Sequence, residues 1–286
     1  MNFVKYRWLF IIFSLIVIGI GVVFYFTKGM NYGIDFTGGT VIEVNTNTFI
    51  EEEKIRDIMT EYDNTVSVVY SGENKEKIII KSTRDFNSAE LGTIKHQFEE
   101  KLGIDRKSIS SDSTGATMGK EIQRKAIISI VIASLLMLVY ITIRFEFTFG
   151  LSSVIALIHD VLITLSFYAI FSFPVNSSLI AAILTVVGYS INATIIIFDR
   201  IRENRRNFSK LSKEEIINTS LKSTMRRSIL TTLTTLLAVL TLYYVGVESV
   251  KVLALPLIIG MISGTYSSIC IAPNLWYLFN SSNKVK

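Results

Sequence analysis

The stretch Gly188-Tyr189-Ser190-Ile191-Asn192-Ala193-Thr194-Ile195-Ile196-Ile197-Phe198-Asp199-Arg200-Ile201-Arg202-Glu203-Asn204 decides the fold. An apolar run carries small and polar residues at its middle and then breaks into a block of charge at Asp199. Upstream, residues 179–187 are apolar apart from Thr185. As a helix the whole segment is long enough to span a bilayer, which takes about 20 residues. On that helix Thr185, Gly188, Asn192 and Asp199 share one face. Lipid cannot satisfy their hydrogen bonds, so this face must meet protein or water. Taken alone, such a stripe reads as packing between helices; the rest of the chain points to a transport pathway.

Of the 286 residues, 50% are hydrophobic, and the mean hydropathy is +0.45. That composition belongs to a membrane-embedded chain rather than to one or two soluble domains. The net charge of +5 raises the question of nucleic acid. However, the basic residues flank apolar runs, where anionic headgroups and insertion topology use them, so nucleic-acid binding is not expected. The one cysteine, Cys270, lies in an apolar run. It permits no intramolecular disulfide and reads as a small hydrophobe. No phosphate-binding lysine loop, Cys/His metal cluster or nucleophile elbow appears. The expectation is a non-enzyme with no cofactor and no metal.

The first apolar run, Trp8–Phe26, follows Lys5 and Arg7. It is too long for a signal-peptide core and lacks a small-residue cleavage site after it, so residues 1–30 read as a cytoplasmic N-terminus and a first span. Residues 31–117 are polar, with short β-branched runs. Strand signals at 40–44, 65–70, 77–81 and 107–112 alternate with helices at 49–62 and 87–102, the second capped by Asn87 and closed by Gly103. The order βαββαβ predicts a small α+β ferredoxin-like domain outside the cytoplasm. Residues 118–280 hold five more apolar runs, at 122–143, 150–172, 178–198, 228–245 and 251–279. With six spans both termini are cytoplasmic, as is the 281–286 tail. Arg144, Arg200, Arg202, Arg205, Arg206, Lys284 and Lys286 all then fall inside, as the positive-inside bias requires. The connection 199–227 reads as a cytoplasmic loop containing an interfacial helix, with a capping box at Ser212 and an apolar face of Ile216, Ile217, Leu221 and Met225.

Span three carries His159-Asp160 about ten residues from its inner end. A charged aspartate facing lipid at that depth costs about 2.5–3.5 kcal/mol. It must therefore face the bundle, pair with a cation or hold a proton, and a neighbouring imidazole can exchange one. Function and packing weigh evenly here. On span five, Arg227, Thr231, Thr234 and Ala238 share a face, leading a guanidinium into a hydroxyl stripe. An arginine at a helix end more often snorkels to headgroups. Gly260, Gly264 and Ser268 give span six a small-residue ridge for close helix approach.

These motifs carry a resemblance. Gly33-Ile34-Asp35-Phe36-Thr37-Gly38-Gly39-Thr40, residues 140–146 with Arg144-Phe145-Glu146, His159-Asp160, the 188–204 stretch with Gly188, Tyr189, Arg200, Glu203 and Asn204, then Arg227 and Gly264-Thr265-Tyr266-Ser267-Ser268, together resemble the SecD/SecF family, its SecF branch. The resemblance covers residues 1 to about 279. It implies a resistance-nodulation-division type fold in the bacterial inner membrane, multi-pass, paired with a separate SecD chain. It further implies assistance to a SecY-type translocon, drawing exported polypeptide outward on the proton-motive force or another ion gradient. Ion-relay candidates are then Asp160, His159, Asn192, Ala193, Asp199, Arg227 and Thr231. One departure stands out: the family reads Ser-Ile-Asn-Asp-Thr where this chain has Ser190-Ile191-Asn192-Ala193-Thr194. The missing carboxylate is one the family is thought to use with the arginine matched by Arg227. An engineered variant, charge movement through Asp160 or a SecD carboxylate, and a different coupling ion all remain open. An exporter of small molecules or lipids, or a passive scaffold of the translocon, are the competing readings.

Overall fold

In the computed structural model, residues 2–46, 48–64, 66–71, 76–114, 116–208 and 210–281 are described. Residues 72–75 and the basic residues Lys284 and Lys286 lie outside them. The protein is a six-span helical membrane protein carrying a four-stranded antiparallel sheet. Two compact units result, an α+β unit of Tyr32–Ile127 with Val175–Ser177 and a helical unit formed by the rest.

The α+β unit opens with a one-turn helix, α2 (Ile34–Thr37), and continues β1 (Gly39–Asn45), α3 (Glu52–Met59), β2 (Ser67–Ser71), β3 (Lys77–Ser82), α4 (Ser88–Leu102) and β4 (Ile109–Thr114). The strand order β2-β3-β1-β4, antiparallel throughout, is that of a ferredoxin-like sheet. Alternation sets its register. Ile42 and Val44 of β1 and Ile78 and Ile80 of β3 are buried, and they pack with Ile55, Ile58 and Met59 of α3 and Ile94 and Phe98 of α4. Each fully buried aliphatic or aromatic side chain there contributes roughly 1.5–3 kcal/mol. Asn87 caps α4 through a reciprocal box with Glu90, and Gly103 ends it in the left-handed conformation, as the spacing predicts. The last strand starts two residues later than expected because Arg106–Ser108 form a 3-10 turn capped by Asp105.

The six helices long and apolar enough to cross a membrane are α1 (Arg7–Lys28), α5 (Ala116–Arg144), α6 (Phe147–Phe171), α7 (Ser177–Asn207), α8 (Lys213–Val245) and a composite last span. That last span comprises α9 (Glu248–Tyr266), a π-helical stretch (Ser267–Ile271) and α10 (Ala272–Ser281). α6, α7 and the last span are the most buried, whereas α1, α5 and α8 expose most of their apolar side chains. α1 packs along α6, and α8 along α9. Near the start of α6, Phe149 is fully buried between Phe198 and Trp276, with ring centroids 4.8 Å away in both cases.

The 199–227 segment differs from expectation. α7 runs nine residues past Phe198 to Asn207, and α8 begins at Lys213, leaving only residues 208–212 as connection. No separate interfacial helix forms between them among the described residues. Charge marks where a helix leaves lipid, but Arg and Glu are good helix formers, so the helix continues into water. The Ser212 capping box is present, yet it starts span five itself. Ile216, Ile217 and Leu221 are buried against protein rather than laid on a leaflet. Nearby, Phe3 N donates to Asn218 Oδ1 at 2.7 Å, and Asn204 Nδ2 donates to Ser220 Oγ at 2.8 Å.

Candidate functional site: a buried carboxylate among hydroxyls

Asp160 is 1% exposed, at the middle of α6. Its Oδ2 accepts from Ser190 Oγ on α7 at 2.6 Å and from Ser267 Oγ at 2.8 Å. Oδ1 accepts from Ser263 Oγ on α9 at 2.8 Å and lies 3.1 Å from His159 Nδ1. Four donors from three spans thus converge on one carboxylate, which is how a buried charge is made tolerable where lipid offers none. The other ring nitrogen, Nε2, lies 2.8 Å from Ser14 Oγ on α1. Ser14 continues to Tyr266, whose hydroxyl donates to the Phe10 carbonyl at 2.8 Å. A polar chain therefore runs from α1 to the centre of the bundle.

Local winding creates this geometry. Ser267 is the first residue of the π-helical stretch, where the wider turn delivers its hydroxyl inward. Gly264 lets α7 approach, since a Cβ there would lie 2.9 Å from Ser190 Cβ. Gly260 stands against Val186 of the same helix. The small-residue ridge is therefore consumed within the chain.

The remaining sequence candidates separate from Asp160. Thr185, Gly188, Asn192 and Asp199 are exposed on one face of α7, and a Cβ on Gly188 would meet nothing within 4 Å. Ala193 is half-buried beside that face, and Tyr189 is half-buried against Val239 and Met261. Arg227 and Thr231 are exposed on α8. Arg200 bonds Glu203 and Ser223, so these serve the end of α7, as buried Asn204 does through Ser220. Of the Gly33–Gly39 motif, Phe36 is buried, and Gly38 and Gly39 hold positive φ of 76° and 135° that other residues rarely adopt. Sequence reasoning found Asp160 and His159 but missed Ser14, Ser190, Ser263 and Ser267 as their partners. The i, i+4 pair Ser263/Ser267 in an apolar span was the available signal.

Six spans, a ferredoxin-like unit and a hydroxyl-bound carboxylate at mid-bundle define a multi-pass membrane protein with a polar site inside its bundle. Residues 93–282 match the family described as "Protein export membrane protein SecD/SecF, C-terminal", and residues 24–48 match the "SecD/SecF GG Motif". The chain belongs to the SecF family of protein translocase subunits. Relatives named "Protein translocase subunit SecF" include one from Sebaldella termitidis, 37% identical over 99% of this chain and 93% of the relative. Another, from Calditerrivibrio nitroreducens, is 39% identical over 96% and 93%. The crystal structure of SecDF from Thermus thermophilus, described as a translocon-associated membrane protein, superposes at TM-score 0.86 and 30% identity, covering 98% of this chain. A super-membrane-facing form of SecDF gives 0.73. This chain spans only about two fifths (39%) of either SecDF chain.

Proposed function

We propose that this protein is the SecF half of a two-chain SecD–SecF assembly in the bacterial inner membrane, helping a SecY-type translocon to complete export of polypeptides on an ion gradient. In this reading residues 1–30 are a cytoplasmic N-terminus and the first span, residues 31–117 lie outside, 118–280 form spans two to six, and 281–286 are a cytoplasmic tail. The protein performs no covalent chemistry and takes no cofactor. The exposed stripe of Thr185, Gly188, Asn192 and Asp199, with Arg227 and Thr231, supports a SecD partner. Polar groups at membrane depth require protein or water beside them, and Gly188, Asn192 and Asp199 are exposed there, while the Thr185 hydroxyl bonds the Ala181 carbonyl within its own helix.

The observation that carries the ion-exchange reading is the Asp160 cluster. Ala193 can neither titrate nor oppose Arg227, so the described groups able to bind an ion in mid-bundle are Asp160 and its neighbour His159. A passive scaffold is the second reading, favoured by Ala193 itself. Export of a presecretory protein into inverted membrane vesicles, with the proton gradient imposed and then collapsed, separates the two. Gradient stimulation that disappears in Asp160→Asn supports ion exchange. Stimulation absent in the unaltered protein, or unchanged in Asp160→Asn, removes it.

A further inference from the structure

Ser14 is a buried hydroxyl in the apolar span α1, and the ion-exchange reading gives it no task so far. Its place follows from one spacing shared by two helices. Gly21 lets α1 approach α6, since a Cβ there would lie 2.3 Å from Ser166 Cβ. From Gly21 to Ser14 and from Ser166 to His159 the step back is the same, two helical turns. Two turns return a helix to nearly the same face about 10 Å along its axis. The close approach at Gly21 therefore carries Ser14 to the imidazole, where its Oγ lies 2.8 Å from His159 Nε2.

Of the groups around Asp160, only His159 leads onward. The Ser190 and Ser263 hydroxyls meet no second polar group among the described residues. The other partner of Ser267 Oγ is the Gly264 carbonyl of its own helix, at 3.2 Å. No lysine, arginine or second carboxylate bonds Asp160 among the described residues. His159 by contrast has a nitrogen on each side, one facing Asp160 Oδ1 at 3.1 Å and one facing Ser14. Ser14 Oγ lies 3.4 Å from Tyr266 Oη, and the half-buried Tyr266 ring stacks on His159 with centroids 6.0 Å apart. Phe10 and Phe13 of α1 set their edges against Tyr266 and keep lipid from this seam.

We propose that His159, Ser14 and Tyr266 form an access route by which a proton passes between Asp160 and the seam of α1 and α9. The route rests on the reading of Asp160 as the ion-exchanging group. A proton on Asp160 Oδ1 passes to His159 Nδ1 while Nε2 yields its hydrogen to Ser14 Oγ. Ser14 hands its own hydroxyl hydrogen to Tyr266, and Tyr266 hands one to water at the seam. The carboxylate is left ionised and the imidazole neutral, its hydrogen moved from one nitrogen to the other. The reverse order loads the carboxylate. At 3.4 Å the Ser14–Tyr266 step is long for two hydroxyls, so a small shift of α1 opens or closes the route there. Tyr266 also reaches the Phe10 carbonyl, three residues from Arg7 at the start of α1. In the topology proposed above that end is cytoplasmic, so the route opens toward the inner face.

The test follows the infrared carbonyl band of protonated Asp160 after a jump from about pH 5 to about pH 8. It uses the full chain with its SecD-type partner in vesicles, and loss of the band in Asp160→Asn assigns it. In Ser14→Ala and in Tyr266→Phe, which keeps the ring stack, the band should decay at least about ten-fold more slowly to the same final amplitude. A relay group changes the rate of proton exchange, whereas a group that only packs changes its extent. An unaltered rate in either variant overturns the route, and so does a changed amplitude at an unaltered rate. If the unaltered protein shows no Asp160 band that responds to the jump, the ion-exchange reading itself falls and takes the route with it.

Discussion

Ser267 Oγ donates to Asp160 Oδ2 across 107 residues of chain, from the first position of a π-helical stretch to the middle of α6. The bond is one of four, and the others do not share its dependence on unusual winding. Replacing Ser267 by alanine leaves Asp160 with Ser190, Ser263 and His159, so the expected loss of stability is about 1 kcal/mol. Asp160→Ala should cost more, because three hydroxyls and an imidazole N–H lose their acceptor together. Thermal unfolding in detergent ranks the two variants. Equal loss would mean that the serine, rather than the carboxylate, holds the helices together.

Two glycines should respond oppositely to alanine. A Cβ at Gly264 presses on Ser190, whereas one at Gly188 meets nothing. Gly264→Ala is expected to destabilise the isolated chain by about 1–3 kcal/mol through overpacking. Gly188→Ala should leave the isolated chain at least as stable but weaken co-purification with a SecD-type partner. Unfolding midpoints and co-purification yields read the two effects independently.

Position 193 borders the exposed polar face of α7. A carboxylate there would restore the titratable group that the SecD/SecF resemblance pairs with the arginine matched by Arg227, and a titratable group is what loading and releasing a proton requires. Ala193→Asp is expected to increase gradient-stimulated export, and Arg227→Ala to abolish the increase. No change from Ala193→Asp, with the gradient imposed or collapsed, would exclude position 193 from an ion path in this protein.

Topology is testable with cysteines at exposed Arg106 and Lys210, because Cys270 is buried and should stay silent. The two positions should label from opposite faces of sealed vesicles. Labelling from one face would refute the six-span arrangement.

Glu146, between α5 and α6, accepts hydrogen bonds from Arg205. Its carboxyl is held below the ordinary carboxylate value chiefly by that bond, against burial, with the charges of Arg205 and Arg202 adding. A depressed pKa gives stability that is present above the ordinary value of about 4.3 and is lost as pH falls through the folded-state value. The pair is partly exposed, so the contribution is under about 1 kcal/mol. Relative to Glu146→Gln, the unaltered protein should be slightly more stable at pH 6, and the gap should close toward pH 3 in unfolding measurements.

The sequence makes the six spans and the βαββαβ order readable because hydrophobic length and period are local properties. Asp160 is legible for a related reason, since charge at membrane depth announces itself. Its partners are not. Ser14, Ser190, Ser263 and Ser267 look in sequence like the small residues that let helices pack, and only their convergence distinguishes donors from spacers. The end of α7 is not legible either, because Asp199 marks the edge of lipid, while helix formation depends on backbone bonding and continues to Asn207.

The π-helical stretch Ser267–Ile271 also makes the last span behave like a gear with one tooth. Reverting it to ordinary winding would turn α10 against α9 by about 100°, one residue of helical rotation. Ser267 would leave Asp160, or Trp276 would leave its stack on Phe149; the span cannot keep both. Any movement that unwinds this stretch therefore proceeds in a discrete click rather than a gradual slide, and it joins the mid-bundle carboxylate to an aromatic latch near the start of α6.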